Sequence, residues 1–187
     1  SAYGVHYPQY LSLTTYTDNT RFISQNFDFE TWYVGPLMNL EEVLVKQDAL
    51  NANEGPIVNQ IAVAKILKAF FMWNVTDRWG DVPYTEAFKG TALPNPKYDK
   101  QEDIYKALFQ LLDEANASIV ISNGTVKNDI LYKGDMNKWK KLANSIHMLM
   151  ALRLSKVNPT LGKAEFAKAV QGGVMTENGD NLSYPHL

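Results

Sequence analysis

At 187 residues, with 45% hydrophobic and 20% charged residues, the chain has the length and composition of a globular protein with one sizeable core. Its 18 basic and 20 acidic residues leave a formal net charge of -2, which offers no cationic footprint for nucleic acid or anionic lipid. Cysteine is absent, so disulfides, thiolate metal sites and a cysteine nucleophile are excluded together, and no apolar run is long enough for a membrane span.

Residues 1–30 are rich in Tyr, Thr, Phe and Asn without a helical repeat, which predicts irregular chain laid against a helical body. From Glu30 to about Asn51, Tyr33, Leu37, Leu40, Val43 and Leu44 follow helical spacing. Pro36 is tolerable only in a first turn, so this helix is expected to start near Gly35. A second helix spans Ile57 to Trp79, bounded by Pro56 and Gly80. It carries two apolar stripes, one through Ile61, Leu67, Phe71 and Val75 and one through Ala62, Ile66, Ala69 and Trp73, and so is expected to have neighbours on both sides.

The segment from Gly80 to Tyr98 is dense in Gly and Pro and reads as a long loop, ordered by Tyr84 and Phe88. Asp99 with Glu102 three residues on has the spacing of a capping box opening a third helix, which runs through Ile104, Leu108, Leu112 and Ile119 and ends near Ser122-Asn-Gly124. Asp135 caps a fourth helix from Met136 to about Val157, stopped by Asn158-Pro159. A short fifth helix covers Thr160 to Val170. Short links inside the first-second and third-fourth pairs, and a long one between them, predict an all-α, tetratricopeptide-like solenoid of helix hairpins with an irregular aromatic N-terminal segment and long loops.

No metalloprotease, nucleophile-elbow, phosphate-loop or dinucleotide motif is present, and no residues have metal-ligand spacing, so neither catalytic residue, metal nor cofactor is expected. His6, His147 and His186 are scattered, and His147 reads as a hydrogen-bonded packing residue on a helix. Two carboxylate pairs could be asked to do glycoside hydrolysis: Asp28 with Glu30, and Asp77 with Asp81. Neither is specific, and Asp77 is expected to pair with Arg78 or to cap the following turn. The Asn-x-Ser/Thr matches at Asn74, Asn116, Asn123 and Asn181 read as chance, two of them falling within helices.

Aromatic residues make up 12% of the chain, and flat aromatic faces stack on the C–H faces of sugar rings while Asn, Asp and Arg bind the hydroxyls. Trp73 and Trp139 fall on core stripes, and Trp79 anchors the turn after its helix. Trp32 and Tyr33 stand where a polar, aromatic loop meets a helix, which makes them the stacking candidates, with Asp18, Arg21 and Asn39 as polar candidates near them; core packing as a staple of the helix start is the other reading of Trp32.

Three segments in matching order carry a family resemblance: Ala69-Phe-Phe-Met-Trp-Asn-Val-Thr-Asp-Arg-Trp-Gly-Asp-Val-Pro-Tyr84 and on to Ala87; Ile104-Tyr-Lys-Ala-Leu108 with Leu111-Leu-Asp-Glu-Ala115; and Tyr132-Lys-Gly-Asp to Lys138-Trp139, Lys141-Leu-Ala-Asn-Ser145 and Arg153-Leu-Ser155. Together, over about residues 30–160, they resemble the SusD/RagB family of Bacteroidetes outer-membrane lipoproteins. The resemblance implies a scaffold without catalytic machinery that binds an oligosaccharide or other nutrient at the cell surface and lids a TonB-dependent SusC-like transporter. The family's lipidated N-terminal cysteine is missing and the chain is less than half the usual family length. Residues 1–187 are therefore expected to be one helical domain, the N-terminal portion of a longer protein, with membrane attachment only through an anchor outside this chain. A helical-repeat adaptor that docks protein partners in a concave groove is the alternative reading.

Overall fold

The computed structural model describes residues 8–15, 17–21, 29–122 and 124–184. Five helices carry the fold, and no strand occurs among the described residues, as the all-α reading expects. Helix α1 covers residues 30–45 in three continuous pieces, Glu30–Trp32, a π-helical turn Tyr33–Leu37, and Met38–Val45. It is followed by α2 (Ile57–Trp79), α3 (Gln101–Ser118), α4 (Met136–Arg153) and α5 (Pro159–Gln171). Of the N-terminal segment, the described part holds one short 3-10 turn, Thr17–Thr20.

The start of α1 differs from the sequence expectation. Pro36 lies inside the helix rather than in its first turn, because the widened turn removes the demand for an α-type N–H at that point. The N–H of Met38 reaches back to the carbonyls of both Gly35 and Tyr33, and Leu37 is driven fully into the core. The helix stops at Val45 because Lys46 leaves helical backbone geometry, and the chain continues in isolated turns.

Helix α2 keeps both predicted bounds and is packed on several sides, against α1, α3 and α4. Its most extensive partner is α3, and α4 pairs most extensively with α5, so the tight hairpins are second-third and fourth-fifth rather than first-second and third-fourth. The cause is the corner between α2 and α3. Gly80 adopts φ +75°, a geometry costly for a side chain with a β-carbon, and turns the chain back. Val82 and Asp99 then form an antiparallel bridge in which the Asp99 N–H donates to the Val82 carbonyl at 3.0 Å.

Asp99 does not cap α3. Its carboxylate accepts from the N–H groups of Tyr84 (2.9 Å) and Thr85 (2.7 Å) and from the Thr85 hydroxyl (2.9 Å), fastening both ends of the loop together. The cap role passes to Asp81, whose Oδ1 accepts from the Gln101 N–H at 2.9 Å. Asp135 does cap α4, accepting from Asn137 and Lys138, and Asn158 caps α5.

Further polar anchors fix the helix ends. Buried Asn59 on α2 holds Val120 just beyond α3 from both sides, donating to its carbonyl and accepting from its N–H, each at 2.9 Å. Asp129 gathers the N–H groups of Leu131, Tyr132 and Gly134 and the indole N–H of Trp139 at 2.7 Å. That is the physical content of the Gly-Asp and Lys-Trp motifs before and within α4. Gly134, at φ +83°, has no room for a β-carbon against Thr125. Asn144 on α4 donates to the carbonyls of Gly172 and Gly173, and Ser145 accepts from the Met175 N–H, so these polar residues bind the chain after α5.

Burial pushes the Asp129 carboxyl up, but the donors from Trp139 and the Gly134, Tyr132 and Leu131 amides outweigh it and hold it below the usual carboxylate range. The same balance, with the Thr85 and Tyr84 donors winning over burial, lowers Asp99. A depressed folded pKa contributes stability above the unfolded value of about 3.9, and this is lost as pH falls through the folded pKa. Urea denaturation is expected to show Asp99→Ala and Asp129→Ala each less stable by about 2–3 kcal/mol at neutral pH, with a shallower acid loss than the parent chain.

Candidate functional site

The π turn in α1 positions Trp32 and Tyr33 next to the α2–α3 corner, but on different neighbours. The Tyr33 hydroxyl donates to the Pro83 carbonyl at 2.6 Å. Its ring stacks on Phe88 at a centroid distance of 5.6 Å and meets the Phe29 ring edge-on at 5.7 Å. Trp32 tilts against Phe71 of α2 at 6.0 Å, and the Arg78 guanidinium lies 5.5 Å from the centre of its ring. Trp79 meets Phe29 at 5.9 Å, in keeping with an anchor beside the corner.

Below this cluster, Lys68 pairs with Glu41 and sits 5.7 Å from the ring centres of both Tyr84 and Phe88. The pair ties α1 to α2 under the loop. Burial, with the nearby Glu41, Glu114 and Asp99 charges, pushes the Tyr84 phenol up to about 12. Burial likewise raises the Tyr33 phenol, so both keep their protons throughout the physiological range.

Between α1 and the Gly/Pro-rich loop opens a groove of about 930 Å³. Tyr33, Phe88 and Tyr98 supply aromatic walls, Pro94 and Pro96 stiffen the loop side, and Glu86, Lys89 and Asn95 supply polar edges. Tyr98 is 60% exposed. This is a volume and a lining suited to a small ligand, mostly apolar with a few polar groups.

Of the residues singled out in the sequence, Tyr33 lines this groove and Trp32 stands behind it, packed on α2. Asp18 and Arg21 are exposed on the 3-10 turn, which the Arg21 N–H closes onto the Asp18 carbonyl, and Asn39 is exposed on α1. Among the described residues none of these three lines the groove or bonds to Trp32 or Tyr33. Phe88 is marked in the sequence only as ordering the loop, and Tyr98 and Asn95 escape sequence reasoning; the signal is the Pro94-Asn-Pro-Lys-Tyr98 run, where two prolines stiffen a loop that presents an aromatic ring.

Of the carboxylates considered for hydrolysis, Glu30 lines the groove, whereas Asp77 and Asp81 are engaged elsewhere. Asp81 caps α3, and Asp77 accepts from the Tyr105 hydroxyl and lies 3.6 Å from Arg153 Nε rather than pairing with Arg78. Asp28 lies outside the described residues, as do His6, His186 and Asn123. His147 is buried at the meeting of three helices, with Nε2 2.8 Å from Glu165 and Nδ1 3.6 Å from Asp113, and it stacks on Phe109 at 4.6 Å. These three could in principle ligate a metal, their donor atoms lying within 4.8 Å of one another. The Lys168 ammonium already contacts both carboxylates and supplies the cation there. The packing role expected for His147 is the one the structure shows.

Such stacked helix hairpins form an all-α, tetratricopeptide-like scaffold with an aromatic groove at one corner. Across residues 1–187 the sequence matches the SusD-like family described as starch-binding and associating with the outer membrane, and the chain belongs to that family.

Solved structures are similar. A chitin-binding protein is 35% identical with a TM-score of 0.77, matching 96% of this chain and 39% of its own length. A structure described as Bacteroidetes AC2a SusD-like is 35% identical with a TM-score of 0.71, over 83% of this chain and 28% of that one. A SusD homologue from Bacteroides uniformis ATCC 8492 is 30% identical with a TM-score of 0.64, over 81% of this chain and 31% of that one. The chain thus spans less than two fifths of the length of each of these relatives. No curated protein matches it. Among the described residues, no helix is long and apolar enough to cross a membrane.

Tyr33→Phe removes the hydroxyl bond to Pro83 while keeping the ring contacts. Thermal or urea unfolding is expected to show a loss of about 1 kcal/mol.

Proposed function

We propose that this chain contributes to binding an oligosaccharide nutrient, and that the groove between α1 and the 80–98 loop is the part of the ligand site it holds. The observation that carries the reading is the trio of Tyr33, Phe88 and Tyr98 around one groove with polar edges at Glu86, Lys89 and Asn95. Aromatic faces take the apolar side of a sugar ring, and the polar groups take its hydroxyls. Tyr33 is held from behind by Pro83 and Phe88, so little side-chain freedom is lost when a ligand stacks. Trp32, with Asp18, Arg21 and Asn39, belongs to the same proposal as a further set of ligand candidates.

We further propose that the full-length protein acts at the outer-membrane surface, held by a lipid anchor and partnered by a TonB-dependent SusC-like transporter, and that it is a binder rather than an enzyme. Membership of a family described by starch binding and outer-membrane association supports this reading.

Titration of the chain with maltohexaose and with chitohexaose tests it; starch appears in the description of the family and chitin in the name of a similar structure. Tyr98→Ala, at an exposed position, is expected to leave the urea midpoint unchanged and to weaken binding at least about tenfold, the loss of one stacking contact worth about 1.4 kcal/mol. Trp32→Ala is expected to weaken binding as well, with some loss of stability from the Phe71 contact. A panel of oligosaccharides that all fail to bind the parent chain would leave the protein-docking adaptor as the better reading, and sugar binding unchanged by both Tyr98→Ala and Trp32→Ala would place the sugar outside this groove.

A further inference from the structure

On another face of α2 lies a second groove, of about 740 Å³, between the C-terminal end of that helix, the start of α3 and the turn joining α4 to α5. Its features form a connected set. The Trp73 indole N–H donates to the Tyr105 hydroxyl at 3.1 Å, and that hydroxyl donates to Asp77 Oδ1. Burial, together with the Asp77 carboxylate, holds the Tyr105 phenol well above its usual range, so it remains the donor in this chain. The second Asp77 oxygen faces Arg153 Nε at 3.6 Å, and the Arg153 side chain is 68% exposed.

The result is an indole ring fixed in orientation beside a paired carboxylate and guanidinium. One accepts and the other donates, which is the pattern that grips neighbouring hydroxyls of a sugar ring. Asn74 and Gln101, which each donate one amide N–H to a backbone carbonyl, of Phe70 and Thr76, add further polar groups to the lining. Leu154 and Leu161 close the apolar side. Asp77 and Glu102 are balanced by Arg78 and Arg153, so the lining favours a neutral ligand over an acidic one.

We propose that this groove is a second oligosaccharide-binding site, separate from the one at Tyr33. It shares the ligand class of the preceding reading and rests on that reading for the class alone. No residue lines both grooves, so binding at each can be lost without the other. Arg78 stands between the two regions, lining this groove while lying over the Trp32 ring.

The chain has four tryptophans, and each gives one indole N–H signal in a proton-nitrogen NMR spectrum, so Trp73 and Trp32 report separately. The parent chain, Arg153→Ala and Tyr98→Ala are titrated with maltohexaose and chitohexaose, the unchanged signals confirming that each variant is folded. The Trp73 signal of the parent is expected to shift and saturate with at least one probe. Arg153→Ala should weaken that response at least tenfold, and Tyr98→Ala should leave it intact. A Trp73 signal that stays still while Trp32 responds would overturn the second site and leave the first standing. So would an unchanged response in Arg153→Ala, or its loss in Tyr98→Ala. A Trp73 response alone would uphold the second site, whatever the outcome at the first, whose groove Trp32 does not line.

Discussion

The Asp99 carboxylate is the constraint on which the arrangement of the helices depends. It binds two amides and a hydroxyl at the far end of the loop while its own N–H bridges to Val82, so residues 80–98 are closed into a ring of chain. With the loop shut, α3 returns alongside α2, Asp81 is placed over the first turn of α3, and Pro83 presents its carbonyl to Tyr33. The walls of the Tyr33 groove and the entry to the Trp73 groove both begin at this corner. A charged group spent on backbone amides here defines the surfaces on either side of it.

Much of the helical framework was legible from local rules. The bounds of α2 follow from Pro56, an amphipathic run and Gly80, and the Asp135 cap follows from its place before an apolar repeat. Where the reading went astray, the deciding partner was distant in sequence. Asp99 has a capping-box spacing to Glu102, yet its donors lie 14 and 15 residues earlier, beyond any local pattern. The pairing of hairpins departs from the sequence expectation for a related reason: a long loop implies separation, whereas the bonded corner makes this one a tight return.

The site was legible only in part. An aromatic pair at the mouth of a helix drew attention to Trp32 and Tyr33, but their roles were set by Phe71, Arg78, Pro83 and Phe88, all contributed by later segments. Tyr98 and Phe88 lie in a loop with no periodicity to mark them. Trp73 shows the opposite case. Its helical stripe spoke for packing, and it does pack, yet its ring also borders a groove because its helix ends among polar residues.

The π turn in α1 sets a phase relation between the two halves of that helix. An α-helix advances about 100° per residue, so the extra residue accommodated between Tyr33 and Leu37 offsets the first turn from the last two by roughly that angle. Leu37 can therefore enter the core while Tyr33 faces the loop. A lineage that lost one residue here would regain regular hydrogen bonding and rotate its aromatic pair away from the corner, so the length of this short stretch is itself a determinant of which surface the protein offers.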